Sequence, residues 1–394
     1  MNGMRLCMYT PIFPPRIGGP STQSFNLCKA LAMKGKTCIV VTYGDRFGSS
    51  EAYGFTVYTF RSLYTRTPLD KAIRWIVFPF YIAYILKKER IDVLHCHTVS
   101  MPSFIAGGIA RLFGIPRIIK FAGDWVGETL SGREVREENF DDIYTRSPYS
   151  RFLTGIERFG LRQFDKIWVV SEFRRENVRK LLGTSEKTVV IPNCLLLSGG
   201  AKRSWSADDP VIVISANRFI PHKRIPFIVE LFAKLALPHS RLVLVGGGEE
   251  REVRAVREAA KRSGAGDRVR LTGILPSEKV YEEFSKASFY ISTSLEEGFP
   301  NVFIEAMHYG LPIVTSDAGG SKELVLNNET GFVVEPHDTR GFLDAMRRLA
   351  TDIPLRSAMS EKARERSKLF DLTYRVEEFI ELYTTLLKKK EGRA

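Results

Sequence analysis

Short apolar runs recur along the chain, and stretches of helical spacing separate them. In the first half the runs fall at residues 5–9, 37–43, 55–60, 91–97, 117–121, 166–170 and 189–191. In the second half they fall at 210–216, 241–246, 269–272, 289–293, 313–315 and 331–334. Most are bounded by glycine, proline or polar clusters, and each reads as a strand. The run at 37–43 is almost wholly apolar, the pattern of a strand buried on both faces. Phe25, Cys28 and Leu31 then mark a helix that stops at Gly35. A second helix should begin near Asn301 after Pro300 and end at Gly310, with Pro312 just beyond. Residues from 340 onward read as helical to the end. Strand, loop, helix, strand repeated in this way predicts parallel crossover units, and hence α/β domains with helices on both faces of the sheet.

The segment 197–209, LSGGAKRSWSADD, interrupts the alternation and reads as a linker between domains at 1–196 and 210–371. Residues 69–88 form an unusually aromatic helix, with Trp75, Phe78, Phe80, Tyr81 and Tyr84, cations at both ends, and Pro79 expected to kink or divide it. It reads either as a partly buried domain helix or as an element lying on a membrane surface.

Composition narrows the class. The chain has 394 residues, of which 44% are hydrophobic and 26% charged, as in a globular protein of two ordinary domains. The formal net charge of +13 favours anionic partners such as nucleotide sugars or acidic lipid surfaces. No nucleic-acid recognition motif accompanies that charge, so none is expected as a partner. Five scattered cysteines without a C-x-x-C suggest a reducing compartment and no structural zinc. No secretory leader or membrane span is expected. The expected location is therefore cytoplasmic, peripheral at the inner membrane face if the aromatic helix lies on lipid.

The chemistry concentrates in residues 294–323, SLEEGFPNVFIEAMHYGLPIVTSDAGGSKE. Glu297 stands in a loop after a strand and Glu305 on the helix that follows. The amides of Phe299, Asn301 and Val302 fall at the helix start, where the macrodipole favours an anion. Arg218 and Lys223 follow the strand 210–216, and two cations there suit a diphosphate. The run Gly246-Gly247-Gly248 lacks the third glycine of a dinucleotide fingerprint, because residue 251 is Arg. His95 and His97 share a face of their strand, but no third metal ligand stands near them in sequence.

The stretch from Glu297 to Glu323 resembles the retaining glycosyltransferases of GT-B fold, in glycosyltransferase family 4. Their E-x7-E segment is matched at Glu297, Gly298, Phe299, Pro300, Glu305, Ala306, Met307, Gly310, Pro312, Ser316, Gly319, Gly320 and Glu323. Weaker matches cover most of the remaining chain. The resemblance implies two Rossmann-like domains with parallel sheets facing across a cleft, and a final helix within 372–394 that returns to the first domain. It implies sugar transfer from a nucleotide-diphosphate sugar to a hydroxyl acceptor, and the aromatic helix with the basic excess suggests a lipid-linked one. No D-x-D cluster appears in a strand context and Arg218 with Lys223 can neutralise a diphosphate, so no metal is expected, nor any other cofactor. Arg218 and Lys223 would stabilise the leaving diphosphate, Glu297 would contact the donor sugar and Glu305 the ribose. Gly19, Gly246, Gly273, Phe299, Pro300, Asn301 and Val302 would line the donor site. Gly18, His97 and Gly123 would lie on the acceptor side. The chain departs from the family in two places. Asn217 replaces a glycine, and Ala122 replaces a histidine near the transferred sugar, for which Asp124 is proposed as the substitute polar contact. The competing classes are a catalytically silent sugar-nucleotide-binding subunit, disfavoured because Arg218, Lys223 and Glu305 are all present, and a nicotinamide-dependent oxidoreductase, disfavoured by the broken glycine fingerprint.

Overall fold

Aliphatic and aromatic residues fill the central strands almost from end to end, so each sheet must be covered on both faces. In the computed structural model this happens twice. The structure describes residues 3–16, 18–61, 68–123, 125–131, 147–200, 205–206 and 208–392. The chain divides into two units, Met1–Leu196 with Leu372–Ala394, and Leu197–Asp371.

The first unit runs β1 (Arg5–Tyr9), α1 (Gly19–Met33), β2 (Thr37–Gly44), β3 (Gly48–Ala52), β4 (Phe55–Arg61), α2 (Pro68–Lys88), β5 (Val93–Cys96), α3 (Met101–Leu112) and β6 (Arg117–Phe121). It continues with α4 (Trp125–Ser131), α5 (Pro148–Arg162), β7 (Lys166–Val169), α6 (Glu172–Leu182) and β8 (Thr188–Val190). Its sheet has the order β3-β4-β2-β1-β5-β6-β7-β8. The pairs are parallel except β3–β4, a hairpin at the edge. The strand order reverses between β1 and β5, so right-handed crossovers place successive helices on opposite faces. On one face α1 packs with the last helix of the chain, α14 (Leu372–Glu391). On the other α2 lies against α3, α3 against α5, and α5 against α6. Pro79 does not divide α2, which runs as one helix through it.

The second unit runs β9 (Val211–Ala216), α7 (Ile225–Leu235), β10 (Ser240–Val245), α8 (Glu250–Arg262), β11 (Val269–Gly273), α9 (Ser277–Lys286) and β12 (Phe289–Ser292). It continues with α10 (Asn301–His308), β13 (Ile313–Ser316), α11 (Ser321–Leu324), β14 (Gly331–Val334), α12 (Thr339–Thr351) and α13 (Ile353–Ser367). Its sheet is parallel throughout, in the order β11-β10-β9-β12-β13-β14. Val213, Leu242, Leu244, Phe289, Ile291 and Val314 are among the residues that the sheet gives to the core. The order reverses between β9 and β12, the position where such sheets open a crevice at their carboxyl ends. The register reflects that opening. β9 pairs with β10 from Val211 to Ala216 but with β12 only at Val213 and Ile214. Beyond that point the Tyr290 hydroxyl closes the gap, donating to Ala216 O at 3.0 Å and accepting from Ala216 N at 3.2 Å.

Candidate active site

The loop after β9 is held in place mainly by backbone hydrogen bonds and by the end of β12. Asn217 donates its side-chain amide to Ser215 Oγ at 3.0 Å and to Tyr290 Oη at 3.1 Å. The residue that departs from the family glycine thus ties the loop to the strand gap. The Thr293 hydroxyl lies 3.2 Å from the carbonyls of both Lys223 and Arg224, and Leu295 N donates to His222 O at 2.8 Å. Lys223 is thereby aimed at the next loop, where its Nζ meets Glu297 Oε1 at 2.5 Å. The two side chains are 13% and 8% exposed, so this ion pair is largely desolvated and far from a typical surface bridge. Gly320 N fixes the Glu297 carbonyl at 2.8 Å. Arg218 is exposed and forms no ion pair with a described residue. Half-buried His222 has its pKa lowered by burial first and by Lys223 next, against the opposing pull of Glu297 and Glu296, with Arg218 adding to the lowering. One imidazole therefore senses Arg218, Lys223 and Glu297 together.

Past Pro300, which stands at the N-cap and offers no side-chain acceptor, the chain enters α10. Phe299 is buried against Phe370 at 5.4 Å between ring centres, which anchors the approach to the helix. Gly310 ends the helix at φ 74°, as its position after the last turn requires. Glu305, on α10, lies apart from the Lys223–Glu297 pair in its contacts. Its partner is the Tyr281 hydroxyl of α9, which donates to Oε1 at 3.2 Å, while the Tyr281 ring stacks on Tyr309 at 5.2 Å. Enclosure by protein pushes the Glu305 carboxyl up to about 7, only partly countered by Tyr281.

The glycine turn after β10 makes the third wall. At Gly246 (φ 129°) a Cβ would stand 1.8 Å from Asn217 O, and at Gly248 a Cβ would stand 2.1 Å from Phe219 O. Only glycine lets the two loops come this close. Gly246 N donates to the carbonyl of Gly273, itself at φ 73°. Beside them lies a depression of about 440 Å³ lined by Phe219, Gly247, Val253, Arg257, Leu271 and Ile274. Polar and apolar atoms share its lining about equally, and Arg257 is the cation among the lining residues.

In the first unit, Gly18 and Gly19 open α1 at the carboxyl end of β1, and Gly18 O accepts the helix's first bond, from Thr22 N at 3.0 Å. Gly123 follows β6 and is half-buried, and Asp124 lies outside the described residues, as do parts of the polar loop beyond it and of the linker. His97, expected on the acceptor side, is packed inside the unit. It is 2% exposed, with Trp168 at 5.4 Å and Lys120 Nζ at 3.5 Å from Nε2. Burial lowers its pKa well below the usual imidazole value and keeps it neutral. His95 bonds through Nδ1 to the Tyr383 hydroxyl of α14 at 2.7 Å. Among the described residues no group of three His, Cys, Asp or Glu could hold a metal ion.

Three residues of this picture were missed in the sequence. Tyr281 and Tyr290 act through tertiary contacts that no local pattern announces. His222, the neighbour of Lys223, could have been found from its place in the cationic loop.

A sequence profile described as Glycosyltransferase Family 4 matches residues 17–196, and one described as Glycosyl transferases group 1 matches residues 201–366. N-acetyl-alpha-D-glucosaminyl L-malate synthase of Bacillus anthracis is 26% identical over 387 residues, covering 94% of each chain. The phosphatidylinositol N-acetylglucosaminyltransferase GPI3 subunit of Saccharomyces cerevisiae is 25% identical over 401 residues, covering 98% of this chain and 83% of its own. Among solved structures, sucrose-phosphate synthase from Thermosynechococcus elongatus matches with a TM-score of 0.80 at 21% identity, over 98% of this chain and 100% of its own. A likeness at that identity carries the fold.

Proposed function

The chain is a glycosyltransferase of GT-B fold and of the family 4 type, and from that premise we propose that it moves a sugar from a nucleotide-diphosphate sugar to a hydroxyl acceptor with retention of the anomeric configuration. The observation that carries this reading is the desolvated Lys223–Glu297 pair at the strand reversal of the second unit, with exposed Arg218 on the same loop as Lys223. When the glycosidic bond breaks, negative charge builds on the diphosphate, and preorganised cations aimed at that charge lower the barrier. Lys223 serves as a point charge and Arg218 as a fork. Glu297 orients Lys223 and presents its other carboxylate oxygen to the donor sugar. The depression beside Gly246–Gly248 takes the base, and Glu305 accepts from the ribose hydroxyls. No step of this scheme calls for a metal or another cofactor.

Both relatives carry N-acetylglucosaminyl in their names, so a nucleotide-diphosphate N-acetylglucosamine is the first donor to test. Malate and phosphatidylinositol, named in those relatives, are both hydroxyl compounds bearing negative charge. We assign the same kind of acceptor here, lipid-linked by analogy with the yeast subunit, in the synthesis of a surface glycan or glycolipid. Gly18, Gly19, Gly123 and Asp124 are the proposed contacts to the acceptor and the transferred sugar. All five cysteines are free and buried, which suits a cytoplasmic location.

The deciding experiment is transfer from labelled donors to malate and to phosphatidylinositol, with the product anomer read by NMR and with chelator present or absent. Lys223→Ala and Arg218→Ala should each lower kcat by about 10²–10³ with a smaller change in donor affinity. Their combined loss should fall short of the product, because both act on one diphosphate. A folded variant that transfers at nearly the wild-type rate removes that residue from the mechanism, and an inverted product overturns retention.

A further inference from the structure

The helices on one face of the first unit's sheet expose apolar side chains that its core does not use. On α2, Phe78, Ile82, Ile85 and Leu86 are buried, while Ile76, Phe80 and Tyr84 form the opposite stripe, with Phe80 74% exposed. Leu112, at the end of α3, is 80% exposed. On α5, Phe152 and Phe159 stand one above the other, Phe159 being 70% exposed. These helices are neighbours in one layer, α2 against α3 and α3 against α5. Scattered exposed apolar residues are ordinary, but a run of them across three adjacent helices marks a surface that meets something apolar.

The charges say what that is. Lys87, Lys88, Arg111, Arg151, Arg158 and Arg162 are all exposed on the same helices, and none pairs with a described carboxylate. Residues 76–88, 101–112 and 148–162 contain a single acidic residue, Glu157, and it is buried. Helix dipoles account for cations near the C-terminal ends, but not for the aromatic and aliphatic side chains beside them. Two copies of this face would oppose like charges, so it does not fit itself. An anionic lipid surface offers both what the cations lack and what the aromatics and leucine prefer. No helix among the described residues is long and apolar enough to cross a membrane, so the fit is to the surface alone.

We infer that the outer face of α2, α3 and α5 docks on an anionic bilayer, with Phe80, Phe152 and Phe159 entering the headgroup boundary and the six cations lying over acidic headgroups. The inference extends the membrane reading of the aromatic helix to a face of three helices, and it does not rest on the transfer reaction.

The test is co-sedimentation of the full chain with vesicles of phosphatidylcholine alone and of phosphatidylcholine with phosphatidylglycerol, at low and high salt. The expected result is binding to the anionic vesicles, roughly tenfold or more weaker on the neutral ones and at high salt. Phe80→Glu with Phe159→Glu should lose roughly tenfold in vesicle affinity, and so should Arg151→Glu with Arg162→Glu, with unfolding temperatures close to wild type. The second pair keeps the test open if the first misfolds. Wild-type protein left in the supernatant of anionic vesicles at low salt overturns the inference. So does a folded charge-reversed variant that sediments like wild type, or a sedimentation-velocity dimer that both double variants abolish while vesicle binding persists.

Discussion

Glu305 shows how a single residue can serve a ligand at the expense of the empty protein. Its carboxyl is pushed up to about 7 by enclosure, and among the described residues its side-chain donor is Tyr281. Ribose hydroxyls donating to it would stabilise the charged form and pull the pKa down, so donor binding should release a proton near neutrality. Donor affinity should therefore rise between about pH 6 and 8, and Glu305→Gln should flatten that rise and bind more weakly throughout; isothermal titration at several pH values checks both. The sign for stability is the reverse. A carboxyl whose folded pKa lies above its ordinary value of 4.5 contributes most below that value and loses the contribution as pH rises through about 7. Glu305→Gln should raise the unfolding temperature above pH 7 and leave it nearly unchanged near pH 5. Equal shifts at both pH values would mean that the carboxyl is not held protonated. A residue that is costly in the free protein and useful in the complex is a common trade at functional sites.

At the scale of elements, the glycine turn after β10 makes a sharper demand than any side chain nearby. A Cβ at Gly246 would collide with the Asn217 carbonyl, and φ 129° excludes most other residues independently. Gly246→Ala should cost more than about 2 kcal/mol in denaturant unfolding, since backbone strain and a backbone clash act together. The same glycine run was legible in the sequence because glycine and proline spacing reports backbone geometry directly. Pro300, Gly310 and Pro312 likewise delimited α10, and the continuous apolar runs delimited the buried strands. Other elements left no such trace. β3, Gly-Ser-Ser-Glu-Ala, is an exposed edge strand with no apolar face, so periodicity could not find it. Lys120 reads as a surface cation within Arg-Ile-Ile-Lys-Phe, yet it is buried, donates to Asn193 Oδ1 at 2.8 Å and lies 4.0 Å from the Trp168 ring centre. Its pKa falls to about 7 through burial, an effect set by β7 and its neighbours rather than by adjacent residues. Pro79 was expected to kink or divide α2, but proline removes only one donor, and the helix's buried stripe of Phe78, Ile82, Ile85 and Leu86 continues past it.

For the whole molecule, two surfaces of different chemistry lie on two different units. The donor residues Arg218, Lys223, Gly246, Glu297 and Glu305 belong to Leu197–Asp371, and the apolar, basic helix face belongs to Met1–Leu196. The net charge of +13 acts on both, because it attracts nucleotide and acidic lipid alike, so salt dependence alone cannot tell the two activities apart. Substitutions can. A nucleoside diphosphate that binds only the folded protein stabilises it by about 2.7 kcal/mol at a hundred times its Kd, a readily measured thermal shift. Lys223→Ala should shrink that shift and leave vesicle binding intact. Phe80→Glu with Phe159→Glu should weaken vesicle binding roughly tenfold and leave the nucleotide shift intact. The two effects should add in the combined variant, as expected for sites that share no partners. Loss of both activities from either set of substitutions, in a protein that still unfolds cooperatively, would mean that donor binding and membrane docking are coupled, and the division of labour between the units would have to be abandoned.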